Sequence, residues 1–162
     1  MKRTATESGH RRKFLVIVDD TPECGRAVLY AARRAEHTGG SLMLLYVIGV
    51  ADFQHWLGVE NIMRAEAMEG AETTLGRFAD LVREKTGIEP QLEIREGNRT
   101  EQIIQQIEDD GDIAILVLAA GTDSDGPGPL VSAMTGRHAG SFPIPITVVP
   151  GSIEESTIDA IA

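Results

Sequence analysis

Residues 96–121 read EGNRTEQIIQQIEDDGDIAILVLAAG, and the two halves of this stretch obey different rules. In the first half Ile103, Ile104 and Ile107 recur at helical spacing and form one apolar stripe. Asn98 stands before that stripe with Glu101 three residues on, a variant of the capping box, so a helix is expected to begin there. In the second half residues 113–120 are apolar at every position. A short run without a polar face suits a strand covered on both sides, as in a parallel sheet.

Working outward, the same alternation repeats. Residues 14–18 (FLVIV) form a first buried strand, followed by a turn, DDTPECG. Residues 26–37 read as a helix with Ala27, Val28, Ala31 and Ala35 on one face, stopped where Gly39 or Gly40 takes a left-handed C-cap. Residues 42–48 (LMLLYVI) form a second buried strand. An irregular connection, 49–60, carries His55 and the single Trp, Trp56. A long helix then runs to about Lys85, with Met68, Ala71, Leu75, Phe78 and Val82 as its stripe and Gly70 and Gly76 weakening it.

Residues 91–95 alternate enough to lie near a sheet edge. After the fourth strand comes a loop, GTDSDGPGPLVSAMTG (121–136), then a weak helix around 133–139 and a last strand at 145–149. Strands alternating with helices give an open, five-stranded parallel sheet with helices on both faces, an α/β fold of Rossmann-like type. Ligands of such sheets bind beyond the carboxyl ends of the strands, where the winding reverses. With the first and fourth strands as neighbours, the loops at Asp19 and Gly121 would line one crevice.

Composition bounds the partners. The 162 residues make about one domain, 13–150, preceded by a flexible basic leader, 1–12, and followed by an acidic tail, 151–162. A net charge of −10 argues against nucleic acid and anionic membranes as partners. No apolar run is long enough to span a bilayer, and the first residues lack a secretory pattern, so a soluble protein is expected. The single cysteine, Cys24, excludes a disulfide framework and makes a reducing cytoplasm the simplest location.

The ordered landmarks VDDTPECGRAVLYAARRA, LMLLYVI, EGNRTEQIIQQIEDDGDIAILVLAAG and PITVVP together resemble the universal stress protein family over about residues 13–150. That resemblance implies a homodimer built through the last strand, and one of two branches, ATP-binding or not. In the binding branch Asp19 and Val47 match the positions that meet adenosine. The phosphates meet a loop of form G-x2-G-x9-G-[ST] after the fourth strand; apart from the resemblance, a Mg²⁺ bridging an Asp of this loop to phosphate would offset its negative charge.

Here Gly121 matches the first Gly of that loop, Ser124 replaces the second, and Gly126 and Gly128 supply glycine out of register. Val131-Ser132 stands for the closing pair, which keeps Ser132 as a phosphate ligand at a helix start. Pro127 and Pro129 remove two N–H donors, and Asp123 and Asp125 add charge against a triphosphate. The expected function is therefore regulatory adenine-nucleotide binding through an altered loop, with Asp19, Val47, Gly121, Gly126, Gly128 and Ser132 at the site. Binding would order the 121–132 loop and so alter a partner surface.

The alternative is a family member without nucleotide that acts through dimer or partner contacts. A receiver-like phosphoacceptor fits less well: Asp19-Asp20 matches its start, but no Lys follows Lys85. The S-G-G-x-D-S loop of adenylating enzymes is missing from DDTPECG, and no catalytic constellation stands out, so binding is expected rather than turnover, with slow ATP hydrolysis at most. Asp20 is expected to bond its own turn and Asp19 to face the ligand. Cys24, at a helix start, raises the idea of a redox-sensing thiol, with a plain packing role as the default. His55 and Trp56 would lid the crevice or simply pack, and Arg137 and His138 are expected at the surface.

Overall fold

The computed structural model describes residues 2–49, 60–137 and 139–162. Strands and helices alternate as β1 (Lys13–Val18), α1 (Cys24–Thr38), β2 (Ser41–Ile48), α2 (Glu60–Thr86), β3 (Gln91–Glu96), α3 (Arg99–Asp109), β4 (Ile113–Ala120), α4 (Pro129–Thr135), β5 (Ile146–Pro150) and α5 (Glu155–Ile161). The strands form one sheet in the order β3-β2-β1-β4-β5. Every neighbouring pair is parallel. The chain winds from β1 outward to β3, then crosses back to β4, so the winding reverses between β1 and β4.

The strand period of two divides the core into two layers. Phe14, Val16 and Val18 of β1 point to the face covered by α1 and α2, where they pack with Ala27, Val28, Ala31, Leu75 and Phe78. Leu15 and Ile17 point to the opposite face and pack with Ile103 and Ile107 of α3 and Val131 and Met134 of α4. A strand that must be apolar on both faces has no place for a polar residue, which is why β1, β2 and β4 read as unbroken runs.

The helix termini follow from local chemistry. Gly39 ends α1 with φ 68°, a left-handed conformation that glycine adopts without strain. Asn98 caps α3, its side chain accepting from the Glu101 N–H at 3.1 Å. One detail of that helix differs from expectation: Ile103 and Ile107 are fully buried, but Ile104 is only half-buried, and Gln106 takes the third inward place. Gln106 is tolerated there because its Oε1 accepts from Arg95 Nε at 2.6 Å.

One expected helix boundary is corrected, and both terminal segments pack on the body. The helix placed around 133–139 lies earlier, at Pro129–Thr135, because Pro129 fits the first turn of a helix. The leader is held against the body: Thr4 N–H donates to Gly111 O at 2.9 Å, and Thr4 Oγ1 donates to Asp112 at 2.6 Å. His10 meets the same carboxylate, and Arg3 donates to Ile113 O at 3.1 Å. The tail is the helix α5, packed on α1 with Ile158 fully buried. The connection with His55 and Trp56, and His138, lie outside the described residues.

Candidate functional site

The reversal between β1 and β4 brings the two loops together as expected. A crevice opens there, lined by Asp19, Thr21, Glu23 and Cys24 after β1, by Leu118 and Ala119 of β4, and by Pro127–Val131 of the following loop and α4. Arg99, at the start of α3, completes the rim. The crevice holds about 100 Å³. Small-molecule sites usually offer roughly 300–1,000 Å³.

Asp19 lines this crevice, but its carboxylate is engaged locally. Its Oδ1 accepts from Thr21 N at 3.0 Å and from the Thr21 hydroxyl, an Asx-type turn. The turn bond expected of Asp20 is thus made by Asp19, which still lines the crevice. Asp20 is the residue with long-range partners, accepting from Tyr46 Oη at 2.9 Å and Thr74 Oγ1 at 2.8 Å. It ties the end of β1 to β2 and α2, and with burial it pushes the Tyr46 phenol up to about 12.

The loop after β4 folds upon itself. Gly121 N–H donates to Pro127 O at 2.9 Å, and Gly126 N–H donates to Asp123 O at 3.1 Å. Gly126 and Gly128 hold φ values of 99° and 105°, which only glycine adopts readily. They serve the turn that closes the loop. Pro127 and Pro129 have no N–H to offer. Asp123 and Asp125 are exposed and do not line the crevice.

The other anticipated ligand positions fall elsewhere. Ser132 is the fourth residue of α4, exposed, with its N–H donated to Gly128 O at 3.1 Å; it does not line the crevice. Its expected place at a helix start is lost because the helix begins at Pro129. Val47 is buried under the α3 layer, packed with Leu45, Ile17 and Leu118, and is also absent from the lining. Of the expected residues the structure brings Asp19 and Gly128 to the crevice and sets Gly121 beside it.

Two charged residues of the crevice were not picked out from sequence. Glu23, the N-cap residue of α1, presses its carboxylate toward Gly121: a methyl group on Gly121 would stand 3.2 Å from Glu23 Oε1. Arg99 brings the one cation among the described residues of the lining. Both lie in quoted landmark stretches, but nothing there singles them out as site residues; the pairing of β1 with β4 and the position of α3 bring them in. Cys24 is buried, its thiol pushed up to about 12 chiefly by burial, which sets aside the idea of an activated thiolate.

An open parallel sheet with a crevice at its winding reversal defines a Rossmann-like α/β fold. The sequence matches the universal stress protein family model over residues 10–150, and the chain belongs to that family. Solved structures share the fold. Universal stress protein UspA from Lactobacillus plantarum superposes with a TM-score of 0.70 at 20% identity, over 85% of this chain and 97% of that one. A universal stress protein solved in complex with cAMP gives 0.54 at 12% identity, over 87% and 98%. One from Archaeoglobus fulgidus in complex with dAMP gives 0.50 at 17% identity, over 85% and 97%. No curated protein matches the sequence. Among the described residues no helix is long and apolar enough to cross a membrane.

Proposed function

We propose that this chain is a regulatory binding protein of the universal stress family that acts through protein contacts, with a crevice that does not take a nucleoside triphosphate. The observation that carries this is the closed loop: Gly121 gives its N–H to Pro127 O, and the Glu23 carboxylate stands against Gly121. A triphosphate needs backbone N–H groups aimed outward and a cationic or neutral lining. Here the Gly121, Gly126 and Ser132 donors are taken up inside the loop and α4, and two proline positions have none. Asp19 and Glu23 add two carboxylates beside the path. Each like-charge pair at about 4 Å is unfavourable by about 1–4 kcal/mol, depending on exposure. A Mg²⁺ ion would offset the two carboxylates, so it is the loop, with its Gly121, Gly126 and Ser132 N–H groups turned inward, that does not fit ATP.

The contact surface is the outer edge of β5, which has β4 on one side only and exposes Val148 at 37%. A second copy pairing along this edge would cover both. The chain is proposed as a binder, not a catalyst, because among the described residues of the crevice the Cys24 thiol is held neutral by burial and no histidine stands beside it as a base. The alternative occupant of the crevice is an adenine nucleotide with a single phosphate. Arg99 at the rim favours it, and the relatives solved with cAMP and dAMP carry ligands of that kind.

Calorimetric titration of refolded protein with Mg·ATP, AMP and cAMP tests these assignments. Silence toward all three supports the contact-based function. Micromolar binding of AMP or cAMP, lost in Arg99→Ala, supports the single-phosphate occupant. Micromolar Mg·ATP binding overturns the proposal. Light scattering of the wild type and Val148→Asp tests the β5 dimer.

A further inference from the structure

The helix α5 is seated on a basic seam in a chain whose net charge is −10. Arg33 of α1 is the centre of the seam. Its Nε pairs with Asp159 at 2.9 Å, and its Nη1 donates to Lys85 O at 2.8 Å. Lys85 at the end of α2 pairs with Glu155 at 2.6 Å. Arg34 donates to Ala162 O at 3.2 Å. Between these polar contacts one side chain of α5, Ile158, is fully buried, while Ile161 is 58% exposed.

The seated helix is short and weak on its own. It has no side-chain N-cap and few turns, so its helical state depends on the surface beneath it. Its ion pairs lie at the surface, where such pairs contribute little each. One buried isoleucine is a small anchor beside the stripes of α1 or α3. Helices held this lightly open well before the whole domain unfolds.

We propose that the α1/α2 seam is a recognition surface for an acidic amphipathic helix supplied by a partner protein, and that α5 is a displaceable internal occupant covering it. The seam states the chemistry of the partner: an acidic residue, an aliphatic anchor three positions later, and an acid directly after it, as in Glu155, Ile158 and Asp159. Arg33 and Lys85 supply the complementary charge, and Arg34 donates to the carbonyl at the helix end. This names a partner class for the contact-based function above. Its test is separate, because nucleotide titration bears on the crevice alone.

The probe is a fluorescent peptide of residues 151–162, read by anisotropy against the full chain. Ile158→Asp in the full chain frees the seam without shortening the protein. The peptide should bind Ile158→Asp at least about tenfold more tightly than wild type, because the tethered occupant is gone. Binding should weaken with salt and vanish when Arg33→Glu is added. Equal binding to wild type and Ile158→Asp, or none to an Ile158→Asp chain with native circular dichroism, overturns the proposal.

Hydrogen exchange on the wild type is a second check that needs no variant. Residues 155–161 should exchange faster than α1. Exchange only through global unfolding would show that α5 is not displaceable, and the proposal fails. A wild-type dimer that is lost in Ile158→Asp would assign the seam to α5 of a second copy and overturn the outside partner.

Discussion

Glu23 and Gly121 stand against each other beside the crevice: a Cβ on Gly121 would lie 3.2 Å from Glu23 Oε1. The neighbour is the far end of a flexible side chain, which can yield. Gly121→Ala should therefore cost less than about 1 kcal/mol. Gly151, the turn after β5, is different. A Cβ there would meet Ala120 O at 2.5 Å and Glu23 Cβ at 2.8 Å, and a backbone carbonyl cannot swing away. Gly151→Ala should cost about 1–3 kcal/mol. Urea unfolding of the two variants checks the contrast.

The Cys24 thiol should be inert. It is buried and held neutral. A chromogenic disulfide reagent should modify the native chain roughly a hundredfold more slowly than the urea-unfolded chain, since only an exposed thiolate reacts. Equal rates would show that α1 opens readily at its start.

Stability should fall at alkaline pH. Folding raises the Cys24 pKa from 9.0 to about 12, through burial. It raises the Tyr46 pKa from 10.0 to about 12, through burial and the hydrogen bond to Asp20. The unfolded chain releases these protons first, so between about pH 9 and 12 it holds fewer protons, and stability declines as pH rises. The contribution is fully present below pH 9. Melting temperatures from pH 8 to 11 check this, and the Cys24→Ala/Tyr46→Phe double variant should show a shallower decline.

Asn98→Ala removes the side-chain acceptor for Glu101 N–H and leaves the first turn of α3 uncapped. The expected loss is about 1 kcal/mol in urea unfolding. A loss near zero would mean that water replaces the cap without penalty.

Gly76 lies inside α2 with nothing within 4 Å of where a Cβ would stand. Gly76→Ala should stabilise by about 0.5–1 kcal/mol, through reduced freedom of the unfolded chain. In a chain of this size that raises the melting temperature by about 2–4 °C per kcal/mol.

Most of the fold was legible because its signals are local. Unbroken apolar runs marked β1, β2 and β4, Asn98 and Gly39 marked helix ends, and the weak alternation of residues 91–95 placed β3 at an edge. The site was less legible. Asp19 and Gly128 reach the crevice, yet Val47 turns into the α3 layer and Ser132 falls past the first turn of α4. Glu23 and Arg99 lie within quoted landmark stretches but carry no signal that marks them as site residues.

By itself the sequence determined the five strands, the helices α1, α2 and α3 and the parallel order, because period, caps and breakers act within a few residues; the bounds of α4 and the helix α5 it did not. The tertiary structure alone decided that Gly121 N–H closes onto Pro127 and that Glu23 meets Gly121. It also seated the acidic tail on Arg33 and Lys85. Those contacts join residues distant in the chain, and only the packing of whole elements sets which of them come within reach.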